Sequence, residues 1–422
     1  AGENWTCSVM AYDGTDYETD WNNASLIIQN TMPVLSNLII NSTLLTNLTT
    51  ENITAFWSAT DADLDAVKNI TNWYLNGTSL AVLNMPFENN GTSTLPDYSS
   101  SGNDGSATGT TWNSSGGYDG KGAYYFDGSG DQIDIGTMPT MTEWSISAWV
   151  KPNRVTTNNN WQEGLVVVSN DIAGWNDDVL FGIRPEGTEG TDKRFSLIQQ
   201  EGTTSSRTLV EDTEDAVIGQ WYHVVGISNG TSLKLYVDGQ LKATTTKTGN
   251  DLNFNGALSY IGGSPADTPD RSFDGMIDEV QIFNRSLSPE QILALYNNRT
   301  DLIVSQETSV GDNWSACVTP NDGNEDGTEV CSENLTVLAE GNNLPVLSDL
   351  IINSTLGTNL STENITAFWT ATDSDNDAVK NITNWYLSGS SIAVLNMPFE
   401  GGSNSTYTND YSSFGNDGTV NG

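Results

Sequence analysis

The chain has 422 residues, with 54 acidic side chains against 15 basic ones and a net charge of -39. Charged residues make up only 16% of it, below the roughly 25% usual in globular domains, so the imbalance comes from missing lysine and arginine rather than from an acid-loaded surface. Such a field repels DNA, RNA and anionic lipid, whose phosphates need clustered basic side chains, and no apolar run approaches the roughly 18 residues of a membrane-spanning helix.

The opening residues lack the charged-then-apolar pattern of a signal peptide, so the chain reads as mature or excerpted. Asn-X-Ser/Thr occurs 19 times, at Asn4, Asn23, Asn41, Asn47, Asn52, Asn69, Asn76, Asn90, Asn113, Asn229, Asn284, Asn298, Asn313, Asn334, Asn353, Asn359, Asn364, Asn381 and Asn404. This density of glycan acceptor sites implies an exported, glycosylated surface protein. Three cysteines do not make a disulfide scaffold. Cys317 and Cys331 flank the turn-rich "PNDGNEDGTE", so a hairpin sets them side by side and allows one bridge. Cys7 follows Trp5 by two residues and shares its strand face, whereas Cys317 follows Trp314 by three; Cys7 is therefore expected as a buried free thiol.

In chain order the elements are almost all β, short β-branched and aromatic runs between Asp-Gly, Asn-Gly and Gly-Ser turns. "NWTCSVMAYDG" from Asn4 reads as a late sandwich strand closing in a turn, "ITAFWSATDADLDA" from Ile53 as a strand and an acidic loop, and "ITNWYLNG" from Ile70 as the next strand and turn. "SLKLYVDGQLKA" is the clearest hairpin: Leu233, Leu235 and Val237 face one side, Lys234 and Tyr236 the other, and Asp238-Gly239 makes the turn. The single helix signal is "SPEQILALY", with Ser288 as N-cap, Pro289 at the first helical position, Gln291 completing a capping box, and Ile292, Leu295 and Tyr296 on one face.

The chain also repeats itself. Pro33 to Glu88 matches Pro345 to Glu400 without a gap at an offset of 312, and "DYSSSGNDG" from Asp97 returns as "DYSSFGNDG" from Asp410. "NWTCSVMAYDG" at Asn4 corresponds to "NWSACVTPNDG" at Asn313 at an offset of 309. The chain thus holds about one and a third copies of a unit slightly over 300 residues long, and its ends fall inside a unit.

From about Leu83 to Tyr296 the stretches "MPFENNGTSTLPDYSSSGNDG", "GAYYFDGSGDQIDI", "WSISAWVKP", "GQWYHVVGISNGTSLKLYVDGQLKA" and "SFDGMIDEVQIFNRSLSPEQILALY" resemble, in this order, the laminin G-like, concanavalin A-like jelly-roll domains of many surface proteins. The resemblance covers about half of the chain and implies two curved antiparallel sheets. The flanks resemble an immunoglobulin-like sandwich of the cadherin or polycystic-kidney-disease type. Early strands stop at "NWYLNGTSLAVL", the jelly roll follows, and "TSVGDNWSACVTPNDGNEDGTEVCSENLTVL" resumes with the last strands. The expected fold is all-β: an antiparallel jelly-roll sandwich, residues 81–297, inserted into an immunoglobulin-like β-sandwich, residues 31–80 and 298–340. Residues 1–30 are expected as the last strands of a preceding immunoglobulin-like domain, 341–392 as the first strands of the next, and 393–422 as the start of another jelly roll. Residues 1–30 and 341–392 are complementary halves, completed by adjacent repeats or by identical subunits donating strands head to tail.

Asp61, Asp63 and Asp65 alternate in "DADLD", and Asp373, Asp375 and Asp377 in "DSDND". Three hard oxygen ligands in one tight turn suit calcium; the spacing is not that of an EF-hand, and resembles the interdomain calcium loops of cadherin-like repeats. Asp278 in "GMIDEVQIF" alternates with Met276, Val280 and Ile282, a face expected to be buried. A buried carboxylate needs a partner, either hydrogen-bond donors or a cation, which the family resemblance permits. Asp127 shapes the turn of "YYFDGSGD". His223, the one histidine, alternates with Trp221, Val225 and Ile227 and reads as a packed strand residue, and the acids of "EDTED" at Glu211 to Asp215 read as a solvated loop. No catalytic set assembles from these residues, and an enzyme is not expected. Trp149 and Trp314 lie in strand patterns and read as core, leaving Trp161 and Trp175, in polar loop sequence, as the sugar-stacking residues.

These readings converge on a structural or adhesive repeat segment of an extracellular, microbial and archaeal cell-surface protein or filament. The alternative is a carbohydrate-binding, lectin-like module.

Overall fold

The computed structural model describes residues 2–89, 94–153, 168–169, 179–186, 192–201, 206–247, 258–263, 272–341, 344–374, 378–399 and 407–420. Trp161, Trp175, Asp375, Asp377, Asn90 and Asn404 lie outside them. The chain forms two compact units, Ala1–Ala339 and Glu340–Gly422.

The first unit contains two sandwiches and an N-terminal hairpin. In the larger, one sheet runs Gln240–Thr246, Ser232–Val237, Tyr222–Asn229, Glu143–Pro152, Asp274–Phe283, Ala123–Asp127, Thr111–Asn113, with Ala81–Met85 also paired to Asp274–Phe283. The opposing sheet runs Ser206–Asp215, Asp192–Glu201, Val179–Glu186, Val168–Ser169, Leu258–Ile261, Gln132–Thr137, Ser106–Thr108. Alternation fills the space between them. Leu233, Leu235 and Val237 point into a core with Trp144, Phe181 and Ile277, while Tyr236 points out of it into a second core. The hairpin turn is the expected one, with Asp238 and Gly239 both at positive φ, 50° and 73°.

Strands from both sides of this jelly roll build the smaller sandwich. Val34–Ser42, Ile53–Thr60 and Leu302–Ile303 form one sheet; Lys68–Leu75, Thr78–Ser79, Asn313–Asn321, Val330–Cys331 and Leu335–Thr336 form the other. Trp314 is fully buried against Trp73, edge to face with ring centroids 6.3 Å apart. The same core takes in Val225, Ile227 and Tyr236 from the outer face of the jelly roll, so apolar packing joins the two sandwiches. Cys317 and Cys331 stand directly opposite on neighbouring strands and form a disulfide.

The helix Pro289–Tyr296 is capped by Ser288, whose side chain accepts from the Gln291 amide at 3.2 Å. The reciprocal half of the capping box is different from the expected one. Glu307 takes the Ser288 amide at 2.6 Å, and Gln291 instead bonds Leu302 and Val304 of the returning chain, at 2.9 and 3.0 Å. "EDTED" is also not a loop: it ends the strand Ser206–Asp215, where Arg194 and Lys242 supply countercharges to Glu211 and Glu214.

The N-terminal hairpin Asn4–Val9 with Asn22–Ile27 is exposed along its whole length. Cys7 is therefore an exposed free thiol in this structure rather than a buried one. It does share a face with Trp5, but no second layer covers that face. Among its described residues the second unit holds three strand pairs: Val346–Ser354 with Ile365–Thr372, Tyr386–Leu387 with Ser390–Ser391, and Tyr407–Thr408 with Gly418–Thr419.

Candidate functional site

Repeat alignment sets identical positions side by side, and their burial is opposite. Leu35 is 6% exposed and Leu347 53%; Ile53 is 1% exposed and Ile365 63%; Trp314 is fully buried and Trp5 is 65% exposed. The strand Asn313–Asn321 explains the difference. It pairs with Lys68–Leu75 and packs on Val34–Ser42, whereas among the described residues of the second unit no strand does this for residues 380–387. A groove of about 410 Å³ lies there, lined by Leu347, Leu350, Trp369, Ala371, Val379 and Ile382 among others. The hairpin Asn4–Val9 with Asn22–Ile27 has the matching apolar face, with Val9 and Leu26 exposed where Val318 and Leu335 are buried. Both surfaces thus expose apolar side chains at positions that the intact copy buries.

The acidic loop closes at Leu64, at φ 66°. Asp61 Oδ1 accepts the amides of Asp63 at 2.8 Å and Asp65 at 3.2 Å, and one carboxylate oxygen from each of the three aspartates comes within 4.8 Å of the others. Asp61 Oδ2 is buried without a hydrogen-bond donor, a state suited to a cation. The chain linking the N-terminal hairpin to the sandwich crosses this region: Asp63 Oδ2 accepts the Thr31 amide at 2.8 Å, and the Asn30 side chain donates to Asp322 at 2.7 Å and Glu325 at 2.9 Å. Asp373 occupies the matching position in the second unit.

Asp278 is buried, as the sequence predicts, but on the other face. The strand Asp274–Phe283 carries a bulge beside Glu279, at φ 50°, which opposes Trp149 to Asp278 and Ser147 to Gln281. Ile277, Val280 and Ile282 thus point into the jelly-roll core, and Asp278 leaves it with Met276. Asp278 accepts the amides of Tyr118 at 3.1 Å and Glu279 at 2.9 Å. Burial first, then the charges of Glu279 and Glu88, holds its pKa well above the usual carboxylate range.

Lys68 sits beside it, a residue the sequence reading missed. Its ammonium bridges to Asp119 at 2.6 Å, Glu279 at 2.5 Å and Glu88 at 3.6 Å. These three carboxylates converge closely enough to hold a metal ion, but here an ammonium from the smaller sandwich supplies the cation and ties the two sandwiches together. Burial pushes Glu88 up to about 7, against the opposing pull of Lys68.

His223 is buried with Nε2 2.9 Å from Ser147 Oγ, and burial pushes it down to about 3. A neutral, solvent-excluded imidazole of this kind fits the packed role expected of it. Trp149, expected in the core, is half-buried on the outer face of the sheet and stacks on Tyr118 with centroids 4.0 Å apart and on Tyr296 at 5.8 Å. Asp127 accepts the Ser129 amide at 2.7 Å, shaping its turn. Every described sequon asparagine is exposed or half-buried.

Residues 127–293 match the family model described as concanavalin A-like lectin/glucanases superfamily. The inserted sandwich is a concanavalin A-like jelly roll. Among solved structures, domain 4 of AbnA, a GH43 extracellular arabinanase from Geobacillus stearothermophilus in complex with arabinotriose, is 23% identical, covering 51% of this chain and 98% of that one at a TM-score of 0.39. A SAP-like pentraxin from Limulus polyphemus is 16% identical over 51% of this chain and 94% of its own, TM-score 0.34. The binding domain of botulinum neurotoxin serotype D is 18% identical over 52% of this chain and 51% of its own, TM-score 0.39. No curated protein matches the chain. No helix among the described residues is long and apolar enough to cross a membrane.

Proposed function

We propose that the chain is a structural, adhesive repeat segment of an extracellular cell-surface protein or filament, joined head to tail and displaying its jelly roll. The observation that carries this reading is the pair of matched half-domains, whose side chains are exposed at the positions that are buried in the intact copy. The accessible sequons support glycosylation and an extracellular setting. Light scattering and electron microscopy over a concentration range test it. Oligomers or fibres growing with concentration are expected; a chain that is monomeric throughout overturns the reading.

The role is non-catalytic, and calcium is its cofactor, held by Asp61, Asp63 and Asp65 and stiffening the linker beside them. Calcium is expected to raise Tm by about 2–4 °C for each kcal/mol of binding linkage, with chelator reversing it and Asp61→Asn abolishing it. An unchanged melting curve with no binding heat removes calcium from this account. Glycan recognition by the jelly roll is the second reading, favoured by the lectin family match. Trp149 is already stacked on two tyrosines, so a glycan array binding signal is expected to depend on Trp161 and Trp175 instead.

A further inference from the structure

We propose that the hairpin Asn4–Val9 with Asn22–Ile27 of one copy completes the residue 345–387 half-sandwich of a second copy in one defined register. This rests on the head-to-tail reading and adds which strands meet and how they align. In the intact sandwich Trp314 stands opposite Leu75, Ala316 opposite Trp73 and Val318 opposite Thr71. Carrying over the two repeat offsets sets Trp5 opposite Leu387, Cys7 opposite Trp385 and Val9 opposite Thr383.

Both surfaces are prepared for this. Residues 380–387 repeat Lys68–Leu75 letter for letter, yet only Tyr386–Leu387 is in a strand, since among the described residues no counterpart of the strand Asn313–Asn321 lies beside the segment. At its open end the hairpin already has the pairing of its counterpart, Trp5 opposing Leu26 as Trp314 opposes Leu335; toward the turn the register differs by one, Ser8 opposing Asn23 where Cys317 opposes Cys331, the counterpart of Asn22. Ser8 and Asn23 carry no disulfide staple, and Cys7 takes the place of Ala316, which is fully buried. Ile392, Leu395 and Phe399 match residues buried where the jelly roll begins, and the hairpin does not reach them.

Thiol labelling of the full chain tests the register, because Cys7 is its one free cysteine. Labelling of Cys7 is expected to slow about 100-fold or more between dilute monomer and assembled material, with hydrogen-exchange protection gained over residues 380–387 and not over 392–399. In a Cys7→Ser background, Thr6→Cys with Tyr386→Cys, an opposed pair on the outer face, is expected to give a ladder of disulfide-linked oligomers. Thr6→Cys with Asn384→Cys is expected to give none. Assembly with fast-labelling Cys7, or equal cross-linking by both pairs, overturns the register while leaving head-to-tail association standing. A chain that never assembles overturns both.

Discussion

Lys68–Leu75 and residues 380–387 are the same eight residues, KNITNWYL, in two settings. The first is a strand throughout, and its Trp73 is buried; the second is strand only at Tyr386–Leu387. Their turns behave otherwise. Asn47 and Asn359 have φ 60° and 59°, and Phe87 and Phe399 have φ 61° and 58°. Glu51 accepts the Leu44 amide as Glu363 accepts that of Leu356, at 2.7 and 3.1 Å. Turns close through bonds between residues a few positions apart and survive without a partner layer. A strand needs a neighbour for its backbone groups, and its side chains need a second sheet.

The comparison breaks most sharply at the tryptophans. Trp73→Ala is expected to destabilise the first unit by about 3–5 kcal/mol, and Trp385→Ala to change the monomer by less than about 0.5 kcal/mol, as read by denaturant unfolding. Equal effects would mean that the second copy is covered even in the monomer. Next comes the buried cation. Lys68→Met leaves carboxylates without a countercharge and is expected to cost about 3 kcal/mol at pH 8, less at pH 5; Lys380→Met, on the exposed copy, is expected to be nearly neutral.

A smaller effect is expected at Glu88. Its pKa rises from 4.5 to about 7 on folding, so its contribution is fully present below pH 4.5, where it is protonated in both states, and is lost as pH rises through about 7. That loss is at most about 3 kcal/mol. Glu88→Gln should therefore flatten stability between pH 4.5 and 7 and raise it at pH 8, while Lys68 keeps Asp119 and Glu279. A Glu88→Gln profile parallel to the original would show that another group governs this pH range.

Much of the fold was legible in the sequence because its signals are local or repeated: the alternation in "SLKLYV", the Asp-Gly turn, the Ser288 cap and the Cys317–Cys331 hairpin. The placement of Asp278 was not. A bulge at Glu279 inverts the inward face of the strand, and Glu279 is not a residue type that announces a positive φ. Lys68 was invisible for another reason. Its partners Glu88, Asp119 and Glu279 are up to 211 positions away, and only the docking of one sandwich on the other brings them together.

By itself the sequence determined where strands and turns form, that the unit repeats, and that the jelly roll interrupts a smaller sandwich, since hydrophobic period, turn chemistry and self-similarity are properties of neighbouring or matching residues. Only the tertiary structure decided which copy of the repeated segment is buried, where the Asp278 carboxylate points, and that Lys68 supplies the cation between the sandwiches. Those depend on which distant surfaces meet, because burial and ion pairing are decided by what covers a residue and not by the residue alone.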